Sequence, residues 1–175
     1  MPDRHASFDS LDTPIGRLWL AGTDAGLLLI HRSDGPEPLF GELARRGYAG
    51  VPGTEAVAGA TAWLQAYFAG THRVPPPAVV TSGLPRFNAA VYRAAIDIPY
   101  GETVSYGELA AMAGSPRAAR AVGGAMARCP LFPVVPCHRV IHGDGSIRGW
   151  GPDLWVKRWL LDHERIAGRW DTHMR

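Results

Sequence analysis

In "VVPCHRVIHGDGSIRGW", residues 134–150, Cys137 follows Pro136 and precedes His138 and Arg139, in a chain of 175 residues that has only two cysteines. A thiol is a good nucleophile only as thiolate, and a neighbouring imidazole or cation lowers its pKa from about 8.5 toward neutrality. Cys137 is therefore a candidate nucleophile, with a buried inert thiol as the plain alternative. Adjacent side chains of an extended segment point to opposite faces, so sequence adjacency does not dictate a Cys137–His138 contact; a bridging water is another link. A histidine acting as base needs an orienting partner, and Glu164 is a candidate. It continues the apolar stripe of Leu154, Leu160 and Leu161 in "GPDLWVKRWLLDHE", which turns it inward, where an unpaired carboxylate costs several kcal/mol. A histidine would satisfy it. Judged from its own helix alone, Glu164 is more ordinarily a solvated residue near a helix end.

Other uses of these residues fit less well. Cys129, Cys137, His138 and His142 lack the close pair of cysteines that structural zinc sites use. The zinc-deaminase pattern P-C-x-x-C fails, because His-Arg-Val follows Pro136-Cys137. "GDGSIRG" has neither the spacing of a dinucleotide loop nor a following Lys-Ser/Thr, and reads as a turn.

A second chemical feature is "SPRAARAVGGAMAR", which reads as a helix with Ser115 as N-cap and Pro116 at its first position. It holds Arg117, Arg120 and Arg128, no acid, and otherwise mostly alanine and glycine. Gly123-Gly124 weakens a helix by about 1 kcal/mol per glycine. Small side chains allow close approach to phosphate or a DNA groove, or equally to a neighbouring core helix. From Leu84 to Trp150 there are seven basic residues against four acidic ones, which favours the first reading.

The elements that must position these groups are legible in outline. Residues 6–31 read as strands, with Thr23-Asp24-Ala25-Gly26 as a hairpin turn. "TEAVAGATAWLQAYFAG" has helical periodicity ending near Gly70, and Pro75–Pro77 then favour a stiff extended connection. "PRFNAAVYRAAIDI" reads as a helix stopped by Pro99-Tyr100-Gly101. "SYGELAAMAG" follows with the capping-box pair Ser105 and Glu108 and a Gly114 terminator. With the arginine-bearing helix after it, the order is that of a helix-turn-helix.

Composition bounds the rest. A chain that is 46% hydrophobic and 19% charged fits one folded unit or two small lobes, and a formal net charge of +2 does not by itself argue for nucleic acid. "MPDRHASFDS" has no apolar secretory core, and no stretch approaches the roughly 18 apolar residues of a membrane span. The expectation is a cytoplasmic protein without membrane contact.

"PCHRVI", preceded by "GETVSYGELAAMAGSPRAARAVGGAM" and followed by "KRWLLDHE", resembles the O6-alkylguanine-DNA alkyltransferase family, the methylated-DNA-protein-cysteine methyltransferases. The likeness runs from about Phe87 to Glu164; the N-terminal part resembles the family only in size and in its strand-then-helix order. The resemblance implies an α+β fold, with an RNase H-like N-terminal lobe over residues 1–80. A C-terminal helical, winged helix-turn-helix lobe would occupy residues 81–175. It implies a suicide repair reaction in which Cys137 takes the alkyl group from guanine O6, one lesion per protein. By that likeness His138 takes the thiol proton through a water and Glu164 orients His138. Tyr106 would turn the lesion's phosphate and donate a proton toward guanine N3. Arg120 would fill the space left by the flipped nucleotide, and Arg117, Ala119 and Gly123 would join Tyr106 and Arg120 on the minor groove. Carbonyls of Cys137 and Val140 would accept from the guanine amino group, with Met126, Trp150 and Gly151 also at the base. The implied partner is alkylated double-stranded DNA, met by a monomer that needs no metal or cofactor.

Three departures stand out. Cys129 occupies a place where the family usually has asparagine. Trp150-Gly151 stands where many members have tyrosine-serine, so the backbone N–H groups remain and the hydroxyl aimed at O6 does not. The zinc ligands of human-type members have no counterpart, since no cysteine precedes Cys129. Two rivals, a lesion sensor without transfer and a regulator using only the helix-turn-helix, leave Cys137 unexplained.

Overall fold

The computed structural model describes residues 4–71 and 75–171, with side chains of the last helix as far as Arg165. The chain divides into two units, one running to Gly83 and taking in Pro130–Val134, the other formed by Leu84–Cys129 and Val135 onward. A single cut between residues 80 and 81 was the sequence expectation. The return of Pro130–Val134 to the first unit has a backbone cause: the Ile30 N–H donates to the Pro130 carbonyl at 2.7 Å.

In the first unit the strand-rich run becomes β1 (Arg4–Thr13), β2 (Gly16–Thr23) and β3 (Gly26–Arg32), paired antiparallel with Ser10 opposite Trp19 and Leu20 opposite Ile30. The turn before β3 forms where its residues suggest. Gly26 has φ 125°, and a Cβ there would stand 2.5 Å from the Ala78 carbonyl oxygen, so glycine alone fits. Two elements that sequence patterning did not foresee follow, α1 (Glu37–Arg45) and β4 (Tyr48–Pro52). β4 pairs parallel with β1 and completes a sheet of order β3-β2-β1-β4. α1 is short and contains Gly41, while Gly50 and Pro52 are poor strand formers. Burial of Leu39, Leu43 and Tyr48 with Ala6, Ala21, Leu28 and Leu29, rather than local preference, holds both in place. α2 (Ala58–Phe68) then closes on Gly70 at φ 78°.

In the second unit α3 (Arg86–Ile96) buries Val91, Tyr92, Ala94 and Ala95, and Gly101 at φ 77° turns the chain after it. β5 (Val104–Ser105) leads into α4 (Tyr106–Met112) through a complete capping box. The Glu108 N–H donates to Ser105 Oγ at 3.1 Å, and the Ser105 N–H donates to the Glu108 carboxylate at 2.6 Å. Gly114, at φ 74°, ends α4 as its type suggests.

The next helix begins later than expected. α5 spans Ala119–Ala127, and Ser115-Pro116-Arg117-Ala118 form a turn closed by the Ala118 N–H on the Ser115 carbonyl at 2.9 Å. Ser115 does not cap α5, whose N-cap position falls at Ala118; its N–H instead donates to the Ala110 carbonyl at 2.8 Å, sealing the end of α4. Proline suits the second position of a turn as well as the first of a helix, which is why the pattern misleads. β6 (Val140–Ile141) pairs parallel with β5, placing Val104 opposite Val140. The glycine-rich turn of residues 142–146 follows, with the His142 N–H on the Ser146 carbonyl at 3.0 Å. α6 (Leu154–Asp171) closes the chain. The fold is α+β, and among the described residues no helix is long and apolar enough to cross a membrane.

Candidate active site

Cys137, His138 and Arg139 form a 3-10 turn, not the extended segment taken for them from sequence. The turn is fixed by its own backbone: the Cys137 N–H donates to the Val135 carbonyl at 2.8 Å and the Arg139 N–H to the Pro136 carbonyl at 3.0 Å. Its tighter winding removes the strict alternation of faces, so His138 and Arg139 reach one partner together. That partner is Glu164, which is 1% exposed, and its burial overturns the reading of a solvated helix-end carboxylate.

The Glu164 carboxylate accepts four groups. His138 Nε2 lies 2.5 Å from Oε1, Arg139 Nε lies 2.9 Å from Oε2, Arg139 Nη2 lies 3.0 Å from Oε1, and the Gly101 N–H donates to Oε2 at 2.9 Å. Arg139 also donates from Nη1 to the Ile98 carbonyl at 2.7 Å and lies 5.5 Å from the centroid of the Tyr100 ring. Burial by itself would raise the Glu164 pKa, but the hydrogen bonds and charges of His138 and Arg139 together hold it well below the usual carboxylate range. For His138 the balance falls the other way. Burial outweighs the pull of Glu164, and the imidazole pKa is lowered. Arg139 supplies the counter-charge, so His138 can stay neutral beside a carboxylate. An ionised carboxylate only accepts, so the neutral ring must carry its proton on Nε2, which makes Nδ1 the basic nitrogen.

Cys137 is 2% exposed. Burial pushes its thiol pKa well up, a hydrogen bond with the Cys129 thiol adds to this, and the charge of Lys157 pulls in the opposite direction. The resting residue is a thiol, and attack requires a base. Lys157 is fully buried on α6; its Nζ donates to the Val140 carbonyl at 2.6 Å and lies 6.0 Å from the Tyr106 ring centroid and 5.5 Å from that of Trp150. Burial lowers its pKa to about 8.

The remaining residues singled out from sequence are distributed as follows. Tyr106, the first residue of α4, is half-buried with its ring 5.2 Å from that of His142, and burial, then the nearby Cys137, raises its hydroxyl pKa. Arg117 and Arg120 are exposed in the turn before α5 and at its start, Ala119 and Gly123 are half-buried, and Met126 is buried. A Cβ on Gly123 would stand 3.9 Å from the Tyr106 ring, so α5 lies against α4 at this point. The Val140 carbonyl already accepts from Lys157, and the Cys137 carbonyl accepts from the Val140 N–H. Trp150 is half-buried and Gly151, at φ 50°, opens a short 3-10 turn. Among the described residues no group of three or more His, Cys, Asp or Glu could hold a metal ion.

Sequence reasoning did not single out Arg139, Lys157 or the Gly101 N–H as parts of this cluster. Lys157 left a signal: it lies three residues after Leu154 and seven before Glu164, on the same inward stripe. The Gly101 amide left none.

Comparison with known proteins places these features in a lineage. Residues 86–166 match the model of the 6-O-methylguanine DNA methyltransferase DNA binding domain, and residues 8–75 match that of its ribonuclease-like domain. A methylated-DNA–protein-cysteine methyltransferase of Mus musculus is 39% identical over 91% of this chain and 81% of its own length. One from Mycolicibacterium paratuberculosis is 43% identical over 90% of this chain and 92% of its own. The crystal structure of Mycobacterium tuberculosis O6-methylguanine methyltransferase superposes with a TM-score of 0.75 at 39% identity, covering 93% of each chain. The structure of the Mycobacterium tuberculosis protein in complex with DNA gives a TM-score of 0.76 at 37% identity, covering 93% of this chain and 94% of that one. Both halves of a two-part family are thus matched in order, and the chain belongs to the methylated-DNA–protein-cysteine methyltransferases, the O6-alkylguanine-DNA alkyltransferase family.

Proposed function

We propose that this protein repairs O6-alkylguanine, chiefly O6-methylguanine, in double-stranded DNA by moving the alkyl group irreversibly to Cys137. The observation that carries the reading is the Glu164 cluster, which leaves His138 neutral with Nδ1 as its basic nitrogen, one residue from a buried thiol. His138 Nδ1 takes the Cys137 proton through a bridging water, and the sulfur attacks the alkyl carbon. An S–C bond forms as the C–O6 bond breaks. The electron pair passes to the guanine, and Tyr106 supplies a proton at N3 as that charge grows. S-alkylcysteine has no route back to a thiol, so each molecule acts once.

The guanine O6 is unreachable inside the duplex, so the nucleotide must leave the stack. In this reading α4 and α5 enter the minor groove, where the alanines and glycines of α5 keep its bulk small. Arg120 fills the vacated space and Arg117 contacts phosphate. Val140, Met126, Trp150 and Gly151 line the base pocket, and the protein acts as a cytoplasmic monomer. Intact mass after mixing with O6-methylguanine duplex tests the reaction. The mass should rise by one methylene, mapped to Cys137, with product stopping at one lesion per protein. Repeated turnover, or the label on Cys129, refutes it.

A further inference from the structure

The glycine-rich turn after β6 takes no part in that chemistry, yet it is closely built. The His142 N–H donates to the Ser146 carbonyl at 3.0 Å and the Gly145 N–H to the His142 carbonyl at 2.9 Å. Asp144 accepts from the Ser146 N–H at 3.0 Å and from Arg148 Nη2 at 2.8 Å, and Arg148 Nε donates to Ser146 Oγ at 2.9 Å. Asp144 and Arg148 are exposed, so their ion pair adds little to stability. What the turn fixes is the half-buried side chain at its start, His142.

The short parallel sheet decides what His142 meets. Ser105 lies opposite Ile141, so the next residues, Tyr106 and His142, leave β5 and β6 side by side. Their ring centroids stand 5.2 Å apart with the planes at 64°, edge to face, an arrangement that aromatic rings favour. Tyr106 needs such a neighbour for a helical reason. A helical side chain leans toward the N-terminus and rests on the turn before it. Tyr106 is the first residue of α4, and the chain behind it is extended, with Ser105 at φ −76° and ψ 160°, so its ring has no turn of its own helix to lie on. Support comes from other elements. α5 passes Gly123 beside the ring, where a Cβ would stand 3.9 Å away, and α6 brings Lys157 Nζ to 6.0 Å from the centroid. Gly123 offers no side chain, however, and the Lys157 ammonium is engaged by the Val140 carbonyl at 2.6 Å. The flat surface that meets the tyrosine is the imidazole of His142.

We propose that His142 is a positioning residue for the repair reaction: its imidazole braces the Tyr106 ring, and the glycine-rich turn holds the imidazole in place. The inference rests on the part given to Tyr106, delivery of a proton to guanine N3, which depends on where the hydroxyl at the far end of the ring points. A tyrosine free to swing about its Cα–Cβ bond would reach that target only part of the time. Bracing settles the ring before DNA arrives, so the encounter does not have to order it.

Single-turnover transfer from O6-methylguanine duplex is measured for wild type, His142→Ala, His142→Phe, Tyr106→Ala and the protein carrying both Tyr106→Ala and His142→Ala. His142→Ala should slow transfer about threefold to tenfold, the worth of an aromatic pair, while His142→Phe, which keeps a ring, should stay within about twofold of wild type. In the Tyr106→Ala background, loss of His142 should change nothing further, because it acts through a ring already gone. Additive losses, or His142→Phe as slow as His142→Ala, overturn the inference. Tyr106→Ala at the wild-type rate refutes the part given to Tyr106, and the bracing falls with it; a slow Tyr106→Ala beside a normal His142→Ala refutes the bracing alone. The contact is also read without substrate. In protein isotopically labelled on its tyrosine rings, the Tyr106 resonance, identified by its absence in Tyr106→Phe, should shift in His142→Ala, and an unmoved resonance overturns the bracing. If wild type transfers no alkyl group at all, the proposed function fails, and that resonance still decides the contact.

Discussion

Replacing Glu164 with glutamine exchanges one oxygen for an NH2 and removes one charge from a site that is 1% exposed. The native carboxylate accepts from Gly101, from two nitrogens of Arg139 and from His138, at 2.5 to 3.0 Å. Glutamine offers a single acceptor oxygen there, and its NH2 must face a donor. Turned toward Gly101, the NH2 meets an N–H and Arg139 loses its counter-charge. Turned toward His138, it forces Nε2 to accept and moves the ring proton to Nδ1, the nitrogen meant to receive the thiol proton. Breaking one side of a buried ion pair costs about 3–5 kcal/mol. At about 2–4 °C per kcal/mol for a chain of this size, the thermal midpoint should fall by roughly 6–20 °C. Transfer should slow by about 10²- to 10⁴-fold, the usual worth of a positioned general base. Single-turnover transfer from O6-methylguanine duplex, run where near-UV circular dichroism shows the variant folded, measures this. A Glu164→Gln rate within tenfold of wild type would refute the tautomer argument, and an unchanged midpoint would refute the ion-pair argument.

Lys157 gives a pH signature. Its native pKa, about 8, lies below the ordinary 10.5, so between those values the unfolded chain holds a proton that the native chain has released, and stability rises with pH. Relative to Lys157→Met, wild type should gain up to about 3 kcal/mol across that window; urea unfolding at pH 7.5 and pH 10 reads the difference, and a constant difference refutes it. Arg120→Ala should slow repair in duplex at least about tenfold more than reaction with free O6-benzylguanine, because only the duplex requires extrusion of a nucleotide at a few kcal/mol. Equal losses on the two substrates would remove Arg120 from that role.

Features that depend on neighbours in sequence were readable before any coordinates. The Ser105–Glu108 capping box and the glycine turns at Gly26, Gly101 and Gly114 need only a few consecutive residues, and each formed. Pro116 misled because two local structures accept proline at that position, and hydrogen bonding to α4 chose between them. Glu164 was undecided because its partners lie 25, 26 and 63 residues away, beyond the reach of any helical pattern. Arg139 was hidden by the assumption of an extended segment, which would have turned it away from His138. Lys157 was in view on an apolar stripe, but lysine is usually solvated, and only a buried carbonyl such as that of Val140 explains its place there.

Because one carboxylate gathers groups from the chain around residue 101 and around residue 138, it closes two long loops at once. Loop closure costs entropy that grows with the logarithm of loop length, and such distant contacts form late in folding. Until α6 docks, His138 lacks the carboxylate that fixes its tautomer, so a nascent or partly unfolded copy carries Cys137 without its oriented base. A native molecule that transiently releases α6 would lose the same orientation of His138 while α4 and α5 remain packed on α3. Reactivity is thereby coupled to completion of the fold.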